Sequence, residues 1–280
     1  MTRADYDAVL AMNCSSIKPG VDIEGGSYVA YPWRIRHAWM RGEVERTMAQ
    51  QDTLNFGTAV HLAVLEPRRF EAEVVHFSGD RRGTAWKDFK SENEGKLILR
   101  TKGTHGYDNI GRLLTAVMEF PEWKMLTPYL GDCQREVAVV TYENGVAKKG
   151  LIDVASKSGA ALLDLKTTAV SNWKAYDSVS WKLGYWLSMG SYVRWWNSLS
   201  DWQFERAIQL VVVVAPPYDL VIRPMDPMSL DMGWETQLRA CGELKGAIRD
   251  GRWTGSGGGM EVPLLLPSWA VPDENLEFTT

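Results

Sequence analysis

The stretch LIDVASKSGAALLDLKT, Leu151 to Thr167, places two aspartates and a lysine inside what otherwise reads as an apolar β-hairpin. Ser158-Gly159 at its centre is a short-turn signal between two runs rich in aliphatic residues. In an antiparallel pair joined by a two-residue turn, facing positions follow by counting outward from the turn. With Lys157 opposite Ala160, Asp153 falls opposite Asp164, where Cβ atoms stand roughly 4.5–5.5 Å apart. The same count at Asn144-Gly145 pairs Glu143 with Val146 and puts Glu136 opposite Asp153. Glu136, Asp153 and Asp164 therefore form one row across three strands, and Lys166 shares their face by the period of a strand. Ile152, Val154, Leu163 and Leu165 occupy the other face.

Like charges directly opposed on a sheet are destabilising, so the row requires a shared proton, a cationic partner or a bound divalent ion. Clustered carboxylate oxygens suit a hard ion such as Mg²⁺ or Mn²⁺. The competing reading is longer turns, a slipped register and charges on a solvated sheet face. Turn chemistry alone weighs the two about equally.

Around the hairpin, REVAVVTY, VAKKGLIDVAS and AALLDLK read as three strands. SVSWKLGYWLSMGSYVRWWNSL reads as helix, FERAIQLVVVVA and YDLVIRPM as a strand pair around Pro216-Pro217, and MSLDMGWETQLRACGELKGAIRDG as a final helix. Upstream, NFGTAVHLAVLE (Asn55 to Glu66) is a buried helix that carries His61 and ends before Pro67. AWKDFKSENEGKLIL and YDNIGRLLTAVMEF read as two more helices, the second stopping at Pro121. The expectation is one α/β domain over residues 1–254, a mixed central sheet flanked by helices, whose first fifty residues are short helices and loops. A tail over 255–280, Gly-rich and then apolar, would be mobile or dock on a neighbouring subunit.

With 280 residues, 45% hydrophobic and 24% charged, the chain can bury a large core. Its formal charge of -4 excludes a general polycation, so contact with nucleic acid would need local basic patches. Arg68-Arg69, Arg81-Arg82, Lys148-Lys149 and the group Arg34, Arg36 and Arg41 are the available phosphate contacts, and each taken alone reads as solvated surface. Three scattered cysteines, Cys14, Cys133 and Cys241, exclude a disulfide framework, a structural zinc and a four-cysteine iron–sulfur cluster within the chain. The N-terminus lacks a signal-peptide core, and the apolar run LVVVVA is too short to span a bilayer, so a cytoplasmic protein is expected.

Asp153 followed by Asp164-Leu165-Lys166 resembles the D...(D/E)xK signature of the PD-(D/E)XK, restriction-endonuclease-like fold. FGTAVHLAVLEPRRF, RRGTAWKDFKSENEGKLIL and LLDLKTTA, in that order, are similar to the RecE-type exonucleases, the exodeoxyribonuclease VIII family of phages and prophages. The resemblance runs over most of residues 50 to 255. It implies Mg²⁺-dependent, processive 5'-to-3' digestion of double-stranded DNA from its ends, leaving 3' single strands for annealing recombination. It also implies a homo-oligomeric ring and a single-strand annealing partner of the RecT type. His61, Asp153, Asp164 and the Leu165 carbonyl would bind metal, and Lys166 would orient or deprotonate the nucleophile or stabilise phosphate oxyanions. Glu136 matches a frequent acidic position, with a metal ligand and a hydrogen-bond partner of Lys166 both open.

Two departures stand out. The resemblance implies a DNA-contacting QxxxY on the helix after the sheet, so Ser188, which replaces the glutamine, and Tyr192, which is kept, are candidate DNA contacts there. Leu151 stands where an arginine is common, with Lys148 or Lys149 as substitutes. Otherwise the stripe Trp181, Tyr185, Trp196 at helical spacing reads as core, and His61 outside the motif would read as a satisfied core histidine. The alternatives are another PD-(D/E)XK DNA nuclease, single-strand specific or Cas4-like, and a catalytically inactive DNA-end-binding protein.

Overall fold

The computed structural model describes residues 46–254 continuously and, before them, residues 12–14, 18, 21–24, 27–30, 32 and 34–35. Arg36, Arg41 and the tail over 255–280 lie outside the described residues. At the centre, strands β6 (Cys133–Glu143), β7 (Val146–Ser156) and β8 (Ala161–Thr168) form the meander expected from the two turns. β9 (Arg206–Val213) lies parallel to β8, and β10 (Asp219–Pro224) is antiparallel to β9. A short β1 (Met12–Asn13) pairs in parallel with Lys148 and Lys149 of β7, completing a mixed six-stranded sheet.

Both inferred registers hold. Cys133 faces Ser156 and Glu143 faces Val146 along β6 and β7, while Val154 faces Leu163 and Ser156 faces Ala161 across the next hairpin. The ladder between β7 and β8 then stops at Val154 and Leu163, one step before the two aspartates. Since β6 occupies one edge of β7, β8 and β1 share the other: β8 holds its C-terminal end and β1 its beginning. The carboxylates therefore stand at a fork in the sheet.

The simple alternation of faces does not survive that fork. Val154, Leu163 and Leu165 pack into one core, but Ile152 joins Ala155 and Leu162 in the core on the opposite side. On β6, Cys133 packs with the first core and Val137 and Val139 with the second. The cause sits between them: Glu136 takes a left-handed φ of 51°, a conformation a non-glycine residue rarely adopts, and the ladder skips the Glu136–Asp153 row. Both strands turn over at the same row.

Helix α1 (Met48–Leu65), α2 (Pro67–Glu73), β4 (Val74–Phe77), α3 (Thr84–Glu92), β5 (Leu97–Arg100), α4 (Tyr107–Glu119), α5 (Pro121–Met125) and α6 (Thr127–Leu130) precede the meander. α1 and α4 supply Phe56, Val60, Ile110 and Leu113 to the first core. α7 (Trp173–Lys182), α8 (Tyr185–Leu199) and α9 (Pro227–Asp250) follow β8 and β9, and α8 and α9 cover the second face with Leu187, Trp195 and Leu244. α8 and α9 touch backbone to backbone: a Cβ on Gly190 would lie 2.3 Å from the Leu230 carbonyl oxygen, and one on Gly233 equally close to that of Trp186.

Several local expectations change. α1 begins at Met48, not Asn55, because Thr47 and Gln50 form a reciprocal capping box. The end of AWKDFKSENEGKLIL is strand: the helix ends at Glu92, Gly95 takes a φ of 80°, and Leu97 to Arg100 pair in parallel with Val74 to Phe77. The long helix after the sheet is two helices, separated at Gly184 with φ 63°. Within the first fifty residues, β2 (Val21–Glu24) and β3 (Ser27–Ala30) pair as a hairpin where helices and loops were expected.

Candidate active site

α1 approaches the fork because it can lie close to β8. A Cβ on Gly57 would be only 3.2 Å from Thr167 Oγ1. One turn later His61 leaves the apolar side of the helix, and its Nδ1 reaches to 3.7 Å from Asp153 Oδ2. The same oxygen accepts the Leu165 backbone N–H at 2.7 Å, so a side chain takes over where the backbone ladder ends. Ligand atoms of His61, Glu136 and Asp153 all lie within 4.8 Å of one another. This is the donor set a divalent ion would occupy.

Asp164 stands beside that cluster and turns to Lys166, whose Nζ is 2.5 Å from Asp164 Oδ2 and 3.3 Å from the Leu165 carbonyl oxygen. The ammonium also lies 5.0 Å from the centre of the Tyr185 ring at the start of α8. Lys18 reaches the same ring, with its Nζ at 5.4 Å. Asp164 is aligned with Gln209 on β9, and Gln209 accepts the Tyr176 hydroxyl at 2.9 Å.

Burial pushes the Asp153 carboxyl above its usual range, and the neighbouring Asp164 adds to the shift against His61, Lys166 and the Leu165 N–H. For Lys166 burial acts downward, but Asp164 and Asp153 outweigh it and hold the ammonium above its ordinary value. Lys18 moves the other way: burial lowers it, and the Lys166 charge lowers it further. The site thus carries an excess of carboxylate around Asp153 and two ammonium groups around Tyr185, a division of charge suited to a cation on one side and a phosphate on the other.

Of the residues expected from sequence, His61, Glu136 and Asp153 converge, with Asp164, Lys166 and the Leu165 carbonyl adjoining them. Lys148 is corrected: its side chain is 0% exposed, with Nζ 3.6 Å from Met12 Sδ, because β1 closes over it, so it is not placed to meet DNA. Ser188 is also corrected: it is buried between Leu187 and Met189 of the second core, so it is not placed to meet DNA. Tyr192 packs over Gly150 of β7, and Lys149 is half-buried. Trp181 and Tyr185 leave the core expected for them: Trp181 is exposed, and Tyr185 lines the lysines. Arg81 and Arg82 lie elsewhere, beyond the N-terminal half of α1, where Arg81 pairs with Asp52 at 2.5 Å.

Lys18, Tyr176, Tyr185 and Gln209 were missed. Gln209 had a signal, as the lone polar residue in AIQLVVVVA. Lys18 had none, since its surroundings show no period.

A family model described as a PDDEXK-like domain of unknown function (DUF3799) matches residues 36–229. Among solved structures, a provisionally named exonuclease from Eubacterium rectale is similar at a TM-score of 0.58 and 13% identity, over 90% of this chain and 87% of that one. A phage-related exonuclease from Haemophilus somnus is similar at a TM-score of 0.33 and 14% identity, over 62% of this chain and 92% of that one. No curated protein matches. The mixed sheet flanked by helices is the PDDEXK-like fold. Among the described residues no helix is long and apolar enough to cross a membrane.

Proposed function

We propose that this chain, which belongs to the family of PDDEXK-like domains of unknown function (DUF3799), is a divalent-metal-dependent nuclease that hydrolyses DNA from duplex ends. The observation that carries the reading is the convergence of His61, Glu136 and Asp153 at the fork, directly beside the Asp164–Lys166 pair. An opposed Glu136–Asp153 row without a cation is electrostatically unfavourable, and an imidazole plus carboxylate oxygens are a fitting donor set for a divalent ion. His61, Glu136 and Asp153 would hold it, with Asp164 and the Leu165 carbonyl within the same neighbourhood. When bound, the ion supplies Lewis acidity and positive charge to a phosphodiester. Mg²⁺ suits the oxygen donors, and His61 leaves room for Mn²⁺.

The chain's own groups divide the remaining work. Lys166, held by Asp164 and positioned over Tyr185, can orient the attacking water and donate to a non-bridging phosphate oxygen. Lys18 on the same ring offers a second donor to the same developing charge. Asp153 fixes the separation of β7 and β8 through the Leu165 N–H, which keeps the Leu165 carbonyl and the Asp164 side chain in place.

The finer parts of the reading rest on the sequence resemblance to RecE-type exonucleases. These are processive 5'-to-3' digestion of double-stranded DNA, 3' single-stranded products, a homo-oligomeric ring, and a RecT-type annealing partner in phage or prophage recombination. The experiment is digestion of linear duplex labelled at one 5' end, in Mg²⁺ and in EDTA, with Asp164→Ala and Lys166→Ala beside the parent protein. Metal-dependent release of labelled mononucleotides, lost in both variants, supports the reading. Duplex-end binding without release in Mg²⁺ or Mn²⁺ refutes catalysis and leaves an end-binding protein.

A further inference from the structure

We infer that a cleft beyond the N-terminal half of α1 is a second, non-catalytic phosphate site, one that grips the backbone of a bound DNA strand; the identity of the phosphate carrier rests on the proposed function. The cleft has a volume of about 660 Å³, and its lining includes Arg81, Arg82, Arg100 and Lys102 with Asp80 as its one acidic side chain. Asp52 of α1 lies behind it and binds both Arg81, at 2.5 Å, and Arg100, at 2.9 Å. One carboxylate thus fixes two guanidinium groups without cancelling the positive charge of the cleft. Arg82 and Arg100 stay 88% and 55% exposed.

Arg81 is the distinctive member. Its side chain is only 9% exposed, and its guanidinium lies 5.1 Å from the centre of the Trp86 ring. Nη1 is used on Asp52, while Nε and Nη2 have no protein acceptor. Those two nitrogens form the side-on edge that binds a phosphate or carboxylate bidentately. Buried donors are seldom left unpaired, and here both unpaired donors belong to one edge of one group. Arg82 is followed at once by the N-terminus of α3, where Gly83 gives no side-chain cap and the first turn has no acid. Such an end favours a negatively charged ligand.

Position gives the site its role. At roughly 1.5 Å of rise per residue, Asp52 is about 13 Å before His61 along α1. Duplex DNA advances about 3.4 Å per base pair, so a strand running along α1 would present here a phosphate about four nucleotides from the bond being cut. The cleft would then contribute to holding long substrates and nothing to the smallest ones.

The test measures binding in EDTA, where hydrolysis does not contribute, by anisotropy of a labelled duplex of about 20 base pairs and of a labelled trinucleotide across a salt series. Arg82→Gln, Arg100→Gln and Lys102→Gln change exposed or solvent-facing groups. Each is expected to weaken duplex binding roughly three- to tenfold at moderate salt and to reduce the salt slope by about 0.9. Trinucleotide binding stays unchanged. Arg81→Lys retains charge but loses the side-on edge and is expected to weaken duplex binding as much; if it fails to fold, the three exposed variants decide. Unchanged duplex affinity and slope in those three overturn the inference, as does an equal loss for the trinucleotide or competition by millimolar inorganic phosphate that marks a free-anion pocket. Binding is read without metal, so a protein that binds duplex but does not cut it gives the same result, and absence of nuclease activity would not disturb the test.

Discussion

The carboxylate of Asp153 accepts the backbone N–H of Leu165 across the fork between β7 and β8, at 2.7 Å. Leu165 is 1% exposed, so that N–H has no ready solvent alternative. Asp153→Asn keeps an acceptor in place but removes the charge, and Asp153→Ala removes both. The asparagine variant is expected to match or exceed the parent's metal-free stability at neutral pH, since its loss relieves repulsion with Asp164. The alanine variant is expected to lose about 1–3 kcal/mol from the unpaired N–H. Both are expected to lose hydrolysis. Urea unfolding in EDTA separates the two, and equal destabilisation would remove the hydrogen bond from its structural role.

The raised Asp153 carboxyl ties stability to pH. A carboxyl whose folded value lies above its ordinary 3.8 binds its proton more tightly in the folded state. Its contribution to metal-free stability therefore declines as pH rises from 3.8 through the raised value. A divalent ion needs the deprotonated form, so binding strengthens over the same interval. The expected result is a Tm increment on adding Mn²⁺ or Mg²⁺ that grows as pH rises above 3.8 and is abolished in Asp153→Asn. Differential scanning fluorimetry with and without EDTA measures it. A pH-independent increment would place the ion elsewhere.

The turns made much of this centre legible. Asn144-Gly145 and Ser158-Gly159 fix registers that the strands obey along most of their length, which is why counting from the turns aligns Glu136 with Asp153. The reversal of faces at that row was not legible, because Glu136 adopts its left-handed backbone without a glycine or asparagine to announce it. Gly95 marks the break before Leu97–Arg100, but the short apolar run after it fits either period, so the run alone does not declare a strand. Burial of Lys148 depends on β1, a contact more than a hundred positions away in sequence that no local pattern encodes.

The two lysines over Tyr185 should respond oppositely to removal. Lys166 is the cation for the buried Asp164, so Lys166→Met leaves a carboxylate at 6% exposure without its partner and is expected to destabilise by about 3 kcal/mol. Lys18 is held below its ordinary value, chiefly by burial. Its charge therefore weakens the fold at neutral pH, a deficit that disappears as pH rises toward 10.5, and Lys18→Met is expected to be at least as stable as the parent at pH 7. Hydrolysis is nevertheless expected to fall about 100-fold, the scale of losing one donor to a developing oxyanion. Thermal melts and single-turnover cleavage of the same preparations test the pair; full activity in Lys18→Met would reduce that residue to packing.

Gly57 sets how near α1 comes to β8, and so how near His61 comes to Asp153. An added Cβ would meet Thr167 Oγ1 at 3.2 Å, a contact tighter than side chains ordinarily make. Gly57→Ala gains about 0.5–1 kcal/mol of helix propensity and opposes it with that contact, so little net change in stability is expected. Helix α1 would move by a few tenths of an ångström, enough to loosen the His61 side of the donor set. Metal affinity is therefore expected to fall roughly tenfold while the fold persists. Thr167→Ala removes the opposing hydroxyl. In the double variant the helix can settle back, so metal affinity is expected to recover and the propensity gain to appear as added stability. Isothermal titration with Mn²⁺ and urea unfolding of all four proteins complete the cycle. Additive losses, with no recovery in the double variant, would show that the position of α1 is not governed by this contact.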